Sequence, residues 1–162
     1  MPPALKGLAL ANLSAIHTAR LETMVSARLT VETAGEGFVD ITGDVARFLD
    51  SAKARDGIVL LYLKHTSASL VIQENADPDV QTDLVTALER IAPANAGWVH
   101  DVEGPDDMPA HIKSMVNGVS LQVPVAGGRM GLGTWQGIYV AEHRARAHQR
   151  EVMLQFLGSC AK

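Results

Sequence analysis

Four of the six histidines in this 162-residue chain sit among carboxylates and hydroxyls: His65, His100, His111 and His143. His17 and His148 lack such company and read as surface residues. Imidazole titrates near neutral pH, ligates metals when neutral and moves protons. Where histidines and acids recur in several separate stretches, the chemistry to consider is proton transfer or metal binding.

The first stretch is His65-Thr66-Ser67, which breaks an apolar run, with Ser69 close behind. Alternation puts His65 on the face of Val59, Leu61 and Leu63. It is either a strand-end histidine bonded to a nearby carbonyl or the start of a ligand site. Thr66 and Ser67 supply hydroxyls, and small residues at a strand end leave backbone N–H groups open to an anion. Glu74-Asn75-Ala76-Asp77-Pro78-Asp79 follows. A helix N-cap with acids in its first turn accounts for Asp77 or Asp79. It leaves Glu74 and Asn75 as substrate-binding candidates.

The densest stretch runs from His100 to His111 and carries Asp101, Glu103, Asp106 and Asp107 between them. The bland alternative is a solvated acidic loop. Pro109, however, suits the start of a helix and puts His111 in its first turn. The dipole there favours neutral imidazole, a metal-binding form and a general base. Asp107 precedes His111 by four residues, so it can cap the helix, orient the ring or share a metal with it. His111, His65 and Asp107 are therefore the candidate catalytic residues, with Lys113 near enough to hold phosphate.

The third stretch, Gly131 to Arg144, opens with glycines that suggest a bend or a close approach of backbone to ligand. Gln136 is a further substrate-binding candidate. Alternation places Tyr139 and His143 on one face, with Val140, Glu142 and Arg144 on the other. His143 is the metal or substrate ligand of this strand. Arg144 is either a phosphate clamp at a neighbouring subunit or a structural partner of an acid. Three histidines with an open fourth position suit catalytic zinc. The spacing of His65, His111 and His143 matches no short zinc motif.

The elements that must position these groups follow from periodicity. Arg20–Thr33 alternates as a half-buried strand. Gly35 and Gly37 mark a turn. Asp44–Ala54 reads as a helix with Val45, Phe48, Leu49 and Ala52 on one face. Ile58–Lys64 is a central strand, and Leu70–Ile72 resumes extended chain. Asp79–Ile91 is a second helix, and Pro109 starts a third that ends before Gly118. Val119–Val125, Met130–Leu132, Trp135–Arg144 and Glu151–Leu157 read as strands, with Ala126-Gly127-Gly128 as a hairpin turn. The fold class expected is α+β: one domain, a largely antiparallel sheet and about three helices.

Composition bounds the function. Apolar residues make up 47% and aromatics 4%, so the core must be mostly Leu, Val, Ile and Ala. A net charge of −4 with both signs scattered excludes the clustered basic stripe of a nucleic-acid binder. Cys160 is the sole cysteine, so no internal disulfide forms and a cytoplasmic address is expected. The weakly apolar stretch Gly7–Ile16 is too short to span a membrane and makes a poor secretory signal. Residues 1–18 are expected to be a partly disordered N-terminal extension, with the domain over 19–162.

Three segments carry a resemblance: HTSASLVIQENADPDVQTDL at 65–84, HDVEGPDDMPAHIKS at 100–114 and SLQVPVAGGRMGLGTWQGIYVAEHR at 120–144. With DIT at 40–42, the chain resembles the YjbQ-like family, often named the secondary thiamine-phosphate synthase family. The resemblance implies a compact α+β subunit in a homotrimer, with polar sites near subunit boundaries. It implies a divalent metal, zinc, at a histidine cluster, with His65, His111 and His143 as the motif histidines and His100 as a further one. Its acids correspond to Glu74, Asp77, Glu103, Asp106 and Asp107. The activity it implies joins a hydroxymethylpyrimidine diphosphate to a thiazole phosphate, as a side reaction. A metal-dependent enzyme on a phosphorylated small molecule is thus expected. The alternatives are a non-catalytic trimeric carrier of a metal or phosphometabolite, and a purely structural role for the histidines and acids.

Overall fold

Apolar strands carry the first and third polar stretches to the ends of two sheets, and a helix carries the second across them. The structure is a computed structural model and describes residues 12–162. Eight strands and three helices follow in order among the described residues. They are β1 (Thr23–Thr33), β2 (Gly37–Asp40), α1 (Thr42–Ser51), β3 (Ala54–Leu63), β4 (Ala68–Glu74), α2 (Pro78–Ile91), α3 (Asp107–Asn117), β5 (Ser120–Ala126), β6 (Arg129–Met130), β7 (Gln136–Glu142) and β8 (His148–Cys160). The greater part of the expected extension, residues 1–11, lies outside the described residues.

The strands form two antiparallel sheets, ordered β1-β8-β3-β5-β6 and β2-β7-β4. The continuously apolar β3 lies in the middle of the larger sheet, as its composition predicts. It sends Val59, Leu61 and Leu63 inward and leaves Ile58 and Tyr62 outside. Val152, Leu154 and Phe156 of β8 and Val123 and Val125 of β5 complete that inner face. Leu70 of β4, Ile138 and Val140 of β7, and Val45 and Leu49 of α1 close the same core. Burial of each such side chain stabilises by roughly 1.5–3 kcal/mol. The result is a single α+β domain of antiparallel sheets with three helices, as expected. The sheets number two rather than one.

Several boundaries move for physical reasons. β2, read from sequence as turn, is a strand of four residues that pairs with β7. So short a run carries no periodic signal. α1 starts at Thr42, whose N–H donates to the Asp40 side chain at 2.8 Å. α2 starts at Pro78, capped by Asp77, which accepts from Asp79 N–H at 2.9 Å. α3 starts at Asp107, two residues before Pro109, because proline is tolerated throughout a helix's first turn, where N–H groups lack helical partners. The Gly127-Gly128 turn forms as read, with φ of +57° and +82°. β8 is longer than expected and starts at His148. A side chain at Gly57 would put its Cβ 2.1 Å from the Leu157 carbonyl oxygen, so β3 and β8 close tightly only without one.

Candidate metal centre

α3 lies on the start of β4, where Ser114 donates to the Ala68 carbonyl at 2.7 Å. This packing holds His111 over the turn that joins β3 to β4. His111 Nδ1 is 3.0 Å from the Thr66 carbonyl oxygen. A carbonyl only accepts, so Nδ1 carries the ring proton and the Nε2 of the neutral ring keeps its lone pair. Nε2 faces Asp107, 3.8 Å from Oδ1. On the other side of Asp107, His100 Nε2 stands 2.7 Å from Oδ2. One ligand atom from each of His100, Asp107 and His111 lies within 4.8 Å of the others, a group suited to hold a metal ion.

The donor chemistry fits such an ion. Arms of about 2.05 Å to a tetrahedral zinc put neighbouring ligand atoms about 3.3 Å apart. The two imidazoles flank opposite oxygens of the Asp107 carboxylate, at 2.7 Å from Oδ2 and 3.8 Å from Oδ1, and the three ligand atoms lie within 4.8 Å of one another, so small side-chain movements would bring them to that spacing. Two imidazoles and a carboxylate leave a fourth position for water or substrate. His111 already has the tautomer a metal requires, fixed by its outer hydrogen bond. His100 Nε2 points at Asp107 Oδ2, so a metal held there would take the place of the proton between them. Because an imidazole must be unprotonated at the nitrogen that binds, uptake would weaken in acid.

Asp107 is nearly fully buried and is held by an arginine. Arg144 pairs with Asp107 through Nη1, with Asp106 Oδ2 through Nε at 3.0 Å, and with the Glu103 carbonyl through Nη2 at 2.8 Å. Burial pushes the Asp106 carboxyl up, but the Ala145 N–H and the Arg144 guanidinium outweigh it and hold it below its ordinary value. Of the two roles read for Arg144, the geometry within the chain is that of a partner of acids.

His111 also lines a cleft of about 740 Å³ with Tyr62, Lys64, His65, Thr66 and Met115. His65 Nε2 accepts the Glu151 N–H at 2.9 Å. Burial, aided by the Arg150 charge, lowers its pKa. The neutral ring with Nε2 so engaged carries its proton on Nδ1. His65 therefore offers a donor.

The expected trio of His65, His111 and His143 is not gathered within the chain. His65 Nε2 is occupied by Glu151 N–H, and His143 Nε2 lies 2.8 Å from the Ser69 hydroxyl in the interior. His100 and Asp107 are the groups that meet His111. Lys113 is buried and paired with Glu36 and Glu89. Ser67 accepts from Arg150. Glu74, Asn75 and Gln136 lie at the opposite end of β4 and β7: Ala68 pairs with Glu142 at one end and Glu74 with Gln136 at the other. Six strand steps separate the ends by about 20 Å. There Asn75 donates to the carbonyls of Thr134 and Gln136, and Gln136 accepts the Gly133 N–H.

Sequence reasoning gave no role to two buried residues near the centre, Glu142 and Arg150. They form a bidentate pair, Nε to Oε2 at 2.7 Å and Nη2 to Oε1 at 2.5 Å. The available signal was a charged residue ending an otherwise apolar strand. Burial raises the Glu142 carboxyl, but Arg150, the Arg144 N–H and the Thr33 hydroxyl overcome this and keep it below its usual range.

His143 yields a pH prediction. Burial, with the Lys113 charge adding to it, lowers its pKa to about 4. The folded ring stays neutral where the unfolded one, near 6.5, would protonate. Its contribution is present above pH 6.5 and is lost as pH falls toward 4, by about 3 kcal/mol. His65 contributes in the same direction. Urea unfolding followed down this pH range should show a smaller loss in His143→Gln than in the parent. An equal loss in both would overturn the assignment.

Fold and centre together define a small α+β protein with a histidine–aspartate group at the edge of a cleft. The chain belongs to the UPF0047 protein YjbQ-like family, whose model matches residues 27–159. It is 44% identical over 131 residues to UPF0047 protein YjbQ of Salmonella typhimurium, covering 80% of this chain and 95% of that one. It is 42% identical to UPF0047 protein sll1880 of Synechocystis, covering 80% and 89%. A crystal structure of a YjbQ/UPF0047 family protein from Clostridium acetobutylicum superposes with a TM-score of 0.75 at 35% identity, over 80% of this chain and 98% of that one. The names of these relatives state no reaction. No helix among the described residues is long and apolar enough to cross a membrane.

Proposed function

We propose that this protein is a zinc-dependent enzyme acting on a phosphorylated small molecule, with a thiamine-phosphate-synthase-like secondary activity. The observation that carries the reading is the placement of His111. Its Nε2 faces Asp107 and His100, its Nδ1–H is fixed by Thr66, and its ring lines the cleft. Zinc bound there supplies a Lewis acid for a phosphoryl or leaving-group oxygen. The chain's own residues do the rest. His65 presents Nδ1–H to a substrate oxygen, the Thr66 hydroxyl lines the same cleft, and Met115 gives an apolar surface for a ring. Asp107, anchored by Arg144, keeps its carboxylate aimed between the two imidazoles.

A homotrimer in the cytoplasm is part of this proposal. Assembly is supported by the outer face of the larger sheet, where Met24, Leu157, Ile58 and Pro124 fall in one row across four strands. The number three rests on the family resemblance. In a trimer the Glu74–Asn75–Gln136 end of a neighbour is free to approach the cleft, which would reunite the candidate substrate residues. The test is metal analysis of the purified protein, then turnover of a hydroxymethylpyrimidine diphosphate with a thiazole phosphate, with and without chelator. We expect stoichiometric zinc and chelator-sensitive turnover. Zinc without turnover of any phosphorylated candidate would make the protein a carrier, and no zinc uptake would end the metal reading.

A further inference from the structure

Glu142 touches neither His100, Asp107 nor His111, yet both halves of the group trace back to its carboxylate. Oε1 accepts the Arg144 N–H at 2.9 Å, and the Arg144 side chain reaches forward to Asp107. The same carboxylate takes the Arg150 guanidinium on both oxygens. Arg150 Nη2 then donates to the Ser67 carbonyl at 3.3 Å and to the Ser67 hydroxyl at 3.1 Å. Beside it, Glu151 N–H donates to His65, and Lys64 N–H donates to the Glu151 carbonyl at 3.1 Å. The turn from Lys64 to Ser67 is thereby pinned to β8 at three points. Its Thr66 carbonyl is the atom that fixes the proton of His111.

We infer that Glu142 is the positioning residue of the centre: one buried carboxylate sets Arg144 behind Asp107 and, through Arg150 and Ser67, the Thr66 carbonyl behind His111. The inference rests on the metal reading above for its purpose but not for its geometry. Nothing about Glu142 marks it as a ligand. Its side chain is fully enclosed, and both oxygens are engaged by Arg150, Arg144 and Thr33. Arg144, just after β7, and Arg150, in β8 of the other sheet, both draw on this one carboxylate. Charge neutralisation alone would need only Arg150, whereas Oε1 serves two donors, Arg144 N–H and Arg150 Nη2, that lead to different sides of the centre. Outer partners of this kind orient ligands and commonly change metal affinity by about 10–100-fold when lost.

The test uses the full-length protein and two variants, Glu142→Gln and the double variant Glu142→Gln with Arg150→Met. The double variant carries no net buried charge at this position and is expected to fold. The readout is the ring-nitrogen NMR shifts of His111 without metal, followed by a zinc titration. In the parent we expect a single tautomer with the proton on Nδ1. In both variants we expect a mixture of tautomers, with zinc affinity lower by about 10–100-fold. Should Glu142→Gln not fold, the double variant decides. A folded double variant with an unchanged tautomer and unchanged zinc affinity overturns the inference. A parent with the Nδ1 tautomer but no zinc uptake removes the metal reading, and the tautomer of the variants then decides the positioning role by itself.

Discussion

Arg150→Ala is expected to lower the free energy of unfolding by about 3–5 kcal/mol. The reason is the charge left behind. Glu142 is among the most enclosed side chains of the protein. Without Arg150 it keeps only the Thr33 hydroxyl and the Arg144 N–H as partners. Removing one member of a buried ion pair costs far more than removing both, because the lone charge has lost water and gained nothing. The double variant Glu142→Gln with Arg150→Met should therefore lie much closer to the parent than Arg150→Ala does. Urea unfolding at neutral pH measures both. Equal stability of Arg150→Ala and the parent would mean that water reaches the pair in solution. The loss should also grow when Ser67 contacts are considered, since Arg150 ties the Lys64–Ser67 turn to β8.

His111→Ala should leave the fold nearly intact and remove metal binding. Its ring is about one-third exposed and makes one hydrogen bond, to the Thr66 carbonyl. The stability cost is therefore about 1 kcal/mol. The effect on zinc should exceed the roughly 10–100-fold loss typical of an outer partner, because a ligand itself is gone. His100→Ala should behave alike. His143→Gln should retain zinc, since the His143 ring is engaged with Ser69 in the interior. Zinc titration of the three variants separates the group seen in the structure from the trio suggested by the motif. Retention of zinc in His111→Ala with loss in His143→Gln would reverse the assignment.

Much of this was legible along the chain. Asp77-Pro78 marks the start of α2 because a capping side chain and a helix-compatible φ need no distant partner. Gly127-Gly128 marks the β5–β6 hairpin because only that turn wants two left-handed residues in succession. His111, Asp107 and His100 were all singled out by the density of polar groups between residues 100 and 111. β2 was not legible, since four residues that owe their conformation to β7 carry no pattern of their own. Arg150 was missed for another reason. Alternation puts it on the inner face with Val152, Leu154 and Phe156, but the expected strand began at Glu151, and a charge on that face makes sense only once its partner Glu142 is in place.

By itself the sequence determined the α+β class, the three helices and the three polar stretches, because these depend on periodicity and on neighbours within a few residues. It also marked His111 as the residue where helix and chemistry meet. The partnership of Asp107 with His111 was open in their four-residue spacing, but that His100 joins them while His65 and His143 turn elsewhere was decided by tertiary structure. The Thr66 carbonyl lies 45 residues from His111, and Arg144 lies 37 from Asp107. Tautomers, buried pairing and the meeting of His100 with Asp107 follow from such contacts. Spacing along a chain carries no trace of them, since hydrogen bonds at that range exist only once two sheets and a helix have closed around them.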